Sequence, residues 1–147
     1  MRSVVSAALF ASAVFAFDGC ADGNPTESDP VEVGSYSMLT VNGSPLPVTT
    51  VQNSTITTEI LSGTFIIYGN HTFGETRVGR VTLAGGNPST TNSSQTGTWE
   101  KAGGQIGFTV LNTGGTIVSS FSATYSGNVL TYMDQGVTFV YRKNEGY

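Results

Sequence analysis

From Val33 onward, apolar and polar residues alternate in short runs with a period of two. Ile106, Phe108 and Val110 alternate with Gly107 and Thr109. Ile117, Phe121, Ala123 and Tyr125 share one face, opposite Ser120, Ser122 and Thr124, and Val137, Phe139 and Tyr141 share another. Such alternation puts one face of each run on a core and the other in water. No run sustains a period of 3.6, so no long helix is predicted after the N-terminal segment. The pattern predicts nine strands: Gly34 to Val41, Thr55 to Leu61, Gly63 to Tyr68, Thr72 to Leu83, Thr96 to Lys101, Gln105 to Leu111, Thr116 to Tyr125, Val129 to Met133 and Val137 to Arg142. Turn dipeptides such as Asn42-Gly43 and Gly103-Gly104 separate them. Pro45-Leu46-Pro47 predicts a stiff loop, and the Gly/Asn/Ser/Thr-rich stretch Ala84 to Ser94 predicts the least ordered one.

Short strands joined by tight turns pair as an antiparallel meander. A meander leaves two unpaired edges, and closing it removes them. Few charges are present to guard an edge, so the expected fold is all-β, a closed barrel of 8–10 strands. It spans residues 33–143, with 144–147 as a C-terminal tail. The interior of such a barrel is just wide enough for packed side chains or one small ligand.

The N-terminus reads differently. Arg2 is followed by an apolar run from Val4 to Phe17, broken only by Ser6 and Ser12. A positive charge and then roughly 14 apolar residues is the pattern of a secretory signal, too short for a membrane span of about 20 residues. Two cleavage sites compete. Val14-Phe15-Ala16 suits a standard signal peptidase, whereas Phe17-Asp18-Gly19-Cys20 resembles a bacterial lipobox with Asp18 out of pattern. Cys20 is the only cysteine, falls where the apolar run ends and is followed by a polar stretch. The expected organisation is a signal peptide over 1–19, lipidation at Cys20 and a flexible tether over 20–32.

At 147 residues, the chain has room for one domain. Removing the first 19 residues takes away Arg2 and Asp18, so the net charge stays at −4. Several acids sit in the tether, which leaves the barrel near neutrality. Without a basic stripe to neutralise phosphates, nucleic acid is not an expected partner.

Candidate chemistry is sparse. His71 is the only histidine and sits beside a turn, with no Gly-x-Ser-x-Gly elbow to serve and no second histidine or paired cysteine to make a metal site. Among Glu59, Glu75, Glu100 and Asp134, nothing in the spacing selects a facing pair of the kind glycoside hydrolysis needs. Glu75 and Arg77, two apart on a strand, are expected to form a simple ion pair. Neither an enzyme, a cofactor nor a metal is expected. Asn42, Asn53, Asn70 and Asn92 each begin an Asn-x-Ser/Thr sequon. These are chance matches in a bacterial chain and glycosylation sites in a eukaryotic secreted one. The aromatics are the larger set. Tyr36, Phe65, Phe73, Trp99, Phe108, Phe121 and Tyr141 lie on strands, where they either fill the barrel or line a cavity for a small apolar ligand.

The run Gly34 to Pro47 resembles the opening of a group of bacterial lipocalin-like proteins, often lipoproteins. The later runs Glu59 to Phe65, Gly97 to Glu100, Tyr125 to Leu130 and Gly136 to Lys143 resemble the same group in the same order. The resemblance implies a lipocalin-like barrel at the outer membrane or in the periplasm, otherwise secreted, binding a small apolar molecule. The alternative is a structural or interaction module of the envelope with a filled barrel. Lipocalins pack an Arg of the last strand on an aromatic residue of the first. Here Tyr36 and Arg142 hold the comparable places, so the resemblance implies a Tyr36–Arg142 contact at the closed end. The oligomeric state and the identity of any ligand are left open by the sequence.

Overall fold

A computed structural model describes residues 30–146; the leader, Cys20 and the tether as far as residue 29 lie outside the described residues. Ten strands and no helix make up the described chain: β1 (Gly34–Val41), β2 (Ser44–Pro45), β3 (Val48–Gln52), β4 (Ile56–Ile67), β5 (Thr72–Leu83), β6 (Ser89–Ala102), β7 (Gln105–Leu111), β8 (Ile117–Ser126), β9 (Val129–Asp134) and β10 (Val137–Lys143). Each of β4 to β10 pairs antiparallel with its neighbour in sequence. β1 closes the ring by pairing with β10 on one side and β4 on the other, giving an eight-stranded antiparallel barrel. This closure is compatible with a lipocalin-like fold. β2 and β3 are extra short strands hung on β1 and β4.

The turn chemistry is local. Asn42 and Gly43 both take positive φ, 49° and 78°, as a two-residue hairpin between Val41 and Ser44 requires. In two other turns the sequon residues serve as backbone ties. Asn53 Oδ1 accepts from the backbone N–H and hydroxyl of Thr55, and Asn70 Oδ1 does the same with Thr72.

Two differences from the expected strands have physical causes. The two strands anticipated at Thr55 to Leu61 and Gly63 to Tyr68 are one, because a bulge at Leu61 lets β4 bend without breaking. Most of the loop expected at Ala84 to Ser94 is strand: Ser89 to Gln95 extend β6 along Glu75 to Val81 of β5. These polar residues are mostly exposed on both faces, so no alternation marked them, yet Thr is a good strand former once a partner strand is in place. Val48 to Gln52, unassigned from sequence, pairs with β4 as β3.

The two ends of the barrel differ. Both ends of the described chain lie at one pole, together with the turns at 69–71, 103–104 and 127–128. The hairpin tips at 42–43, 53–55, 84–88, 112–116 and 135–136 form the other, open pole. The closed pole takes in part of the expected tether. Glu32 is buried, its carbonyl accepts from the Tyr36 hydroxyl, and its carboxylate pairs with Lys101. The first and last strands meet there as expected, but the Tyr36–Arg142 contact does not form. Arg142 follows the inward Tyr141, so it projects outward, opposite Ser37, while Tyr36 is fully buried. Lys143 is the residue paired with Tyr36, and its ammonium donates to the Val31 carbonyl at 2.7 Å. Tyr36 instead meets Tyr125 edge-on, 6.3 Å between centroids.

Candidate functional site

Strand alternation carries all seven aromatics singled out from sequence into the barrel. Tyr36, Phe65, Phe73, Trp99, Phe108 and Tyr141 are buried, and Phe121 is partly buried against them. They pack on one another. Phe65 stacks on Phe73 at 5.4 Å, Phe108 meets both edge-on at 5.1 and 4.9 Å, and Phe121 stacks on Phe108 at 5.1 Å. Tyr141 meets Phe65 edge-on at 5.7 Å. Contacts of this kind add roughly 0.5–1.5 kcal/mol each beyond area burial. Toward the closed pole, Trp99 Nε1 donates to the Tyr68 carbonyl at 2.9 Å, and the His71 ring stacks on the indole at 5.0 Å. His71 is thus a turn residue at positive φ that covers the tryptophan.

Above this aromatic layer, toward the open pole, the interior turns polar. β5 carries Phe73, Glu75 and Arg77 on its inward face, so the period that buries the phenylalanine also buries the acid. Glu75 is 3% exposed. Its Oε1 accepts from Arg77 Nε at 2.8 Å and from the hydroxyls of Tyr132 and Tyr141; its Oε2 accepts from Arg77 Nη2 at 3.0 Å and from Gln95 Nε2. Arg77 Nη2 donates a further bond to the Tyr132 hydroxyl at 2.6 Å, and the guanidinium lies 4.1 Å from the centroid of Phe139. Five donors from four strands therefore converge on one carboxylate, which makes the burial of its charge tolerable. Burial pushes the Tyr132 and Tyr141 hydroxyls well above the ordinary tyrosine range, and the neighbouring Glu75 charge pushes in the same direction.

This cluster floors a cavity of about 150 Å³ lined by Glu75, Arg77, Ser93, Ser94, Gln95 and Asp134. Ser93 lies opposite Arg77 in the β5–β6 register, and Asp134 ends β9 just above Tyr132. The expected Glu75–Arg77 ion pair is present, but as the centre of a buried network rather than a simple pair. Sequence reasoning missed Gln95 and Tyr132. The signal for the network was there in part: Glu75 and Arg77 share strand parity with Phe73, so both had to point wherever the phenylalanine pointed. Gln95 carried no such mark, being the last residue before a recognisable alternation begins.

No family model, curated protein or solved structure matches this chain.

Proposed function

We propose that the chain is an exported, non-enzymatic barrel of lipocalin-like architecture, tethered to a bacterial membrane through a lipid on Cys20, that takes a small polar molecule at its open pole. The observation that carries the binding is the cavity floored by the Glu75–Arg77 pair. An apolar ligand in the interior needs an apolar void, and the aromatics that would line one fill the space with one another. The geometry therefore favours the open pole as the binding end and polar groups as its chemistry. Pro30 leaves the barrel at the closed pole, so a tether from Cys20 would set the cavity facing away from the membrane. Ten residues of tether reach at most about 35 Å. Glu75 and Asp134 share the cavity, but five donors already occupy the Glu75 oxygens, which leaves no free lone pair for acid–base work.

A second function, a filled-barrel interaction module, is favoured by one observation. β9 pairs with β8 only from Ala123 onward, which leaves Ile117 to Ser122 without a partner on that side among the described residues, and Ile117 and Val118 are exposed. Two measurements on the full chain, expressed with its leader in a bacterial host, test these proposals. Intact mass of the mature protein is expected to show an acylated N-terminal Cys20, with Cys20→Ala releasing the barrel from the membrane fraction. A mature chain beginning at Phe17 would overturn the anchor. Native mass spectrometry of the membrane-extracted protein is expected to show a bound small molecule, and uniformly ligand-free protein that also stays unliganded in a metabolite extract would leave only the interaction module.

A further inference from the structure

We infer that the open-pole cavity selects a small zwitterion, a molecule of free amino acid size bearing one carboxylate and one ammonium group. This rests on the open pole being the binding end. The inference comes from which polar groups around the cavity are already committed. Both Glu75 oxygens are occupied, three donors on Oε1 and two on Oε2. Arg77 uses Nε and Nη2 in the same network. Its Nη1, with two N–H groups, has no hydrogen-bond partner among the described residues, and the Arg77 side chain retains 21% exposure on the cavity. Ser93, directly across the strand pair, has a hydroxyl that is likewise uncommitted among the described residues. Nη1 and Ser93 together offer donors to a carboxylate. On the other side, Asp134 lines the cavity, is half-buried, and makes no ion pair among the described residues.

Charge and size narrow the class. Glu75, Arg77 and Asp134 sum to one negative charge, so a lone anion of the acetate or phosphate type would reach Arg77 only against a net negative site. A lone cation would satisfy Asp134 and offer the Nη1 donors no acceptor. A zwitterion answers both groups at once. The cavity is about 150 Å³, of the order of one that holds a single small molecule. That matches a ligand of a few heavy atoms.

The test uses L-alanine as the zwitterion, acetate and methylammonium as its two halves, and glycerol as a neutral polar control. Each is titrated into the protein and followed by amide NMR shifts at Ser93, Gln95 and Asp134. L-Alanine is expected to saturate these shifts at a concentration at least tenfold below that needed by either half or by glycerol. Asp134→Asn touches none of the Glu75 network, so it should fold as the wild type, checked by the emission of Trp99. It should weaken L-alanine at least tenfold and leave acetate unchanged or tighter. Glycerol, acetate or methylammonium binding as well as L-alanine would overturn the zwitterion class while leaving the open pole as the binding end. Failure of all four probes to move these resonances would overturn the zwitterion; if the native mass spectrum also shows no bound molecule, the open pole fails with it. Equal L-alanine binding by the Asp134→Asn protein would overturn the role of Asp134 and with it the inference.

Discussion

Tyr141 on the last strand and Glu75 on the fifth meet inside the barrel, the phenol donating to the carboxylate beneath the open pole. The pair joins strands that are not neighbours in the sheet, so it ties the barrel across its interior rather than along its wall. Removing the charge should show how much depends on it. In Glu75→Gln, Arg77 becomes an unpaired, largely buried cation, and the remaining hydrogen-bond donors face a single amide oxygen. Breaking a buried pair from one side costs about 3–5 kcal/mol. Tyr141→Phe removes one donor of five and should cost about 1–2 kcal/mol. Urea unfolding followed by Trp99 emission measures both, and an equal loss in the two variants would show that the network is not centred on the carboxylate.

The same burial sets an alkaline limit. Tyr36, Tyr132 and Tyr141 are all pushed above the ordinary range, first by burial and then by neighbouring acidic groups. In the unfolded chain these phenols lose their protons near pH 10. The native state thus holds protons that the unfolded state has released. The resulting stability is complete below about pH 10 and is lost as pH rises beyond it. Phenolate absorbance from these three tyrosines should therefore appear only as the fold is lost. Their ionisation at about pH 10 in the folded protein would contradict their burial.

At the closed pole the sign reverses. Burial raises the Glu32 carboxyl, but hydrogen bonding and charge from Lys101, with Lys143 beyond, outweigh it and leave the group below its usual range. A lowered carboxylate contributes stability above its unfolded value, about 4.3, and loses it as pH falls through the folded one. Glu32→Gln should be less stable than wild type at pH 7, and the gap should narrow below about pH 4. A gap that is constant with pH would mean that Glu32 acts through packing alone. Its second oxygen, Oε2, is buried without a partner among the described residues.

Gly97 is a packing requirement rather than a turn. A Cβ there would stand 1.9 Å from the Thr109 carbonyl oxygen and 3.0 Å from Phe73 Cε1. The carbonyl belongs to the neighbouring strand and cannot swing aside as a side chain would. Gly97→Ala should cost at least about 3 kcal/mol through backbone displacement. Gly107 is the control on the next strand: its nearest atom is the Glu100 carbonyl oxygen at 3.8 Å. Gly107→Ala should fall within about 0.5 kcal/mol of wild type. Similar unfolding midpoints for the two alanine variants would show that the Gly97 contact relaxes freely.

The antiparallel pairing of β5 to β10 and the inward set of aromatics were legible in the sequence alone, because a period of two fixes which side chains share a face and short turns make neighbours in the chain neighbours in the sheet. Arg142 shows how far that local rule reaches: its parity with Phe139 and Tyr141 already placed it outside, against the resemblance. Where the rule fell silent, only the closed sheet decided. The polar run Ser89 to Gln95 became strand because β5 was there to pair with it, and Glu32 became part of the barrel floor because Lys101 was there to meet it. The convergence of Tyr132, Tyr141, Gln95 and Arg77 on Glu75 joins residues up to 66 positions apart, and no local pattern encodes a contact across a barrel. Alternation says that a side chain points inward; which groups it meets there depends on how many strands close the ring and how they are staggered.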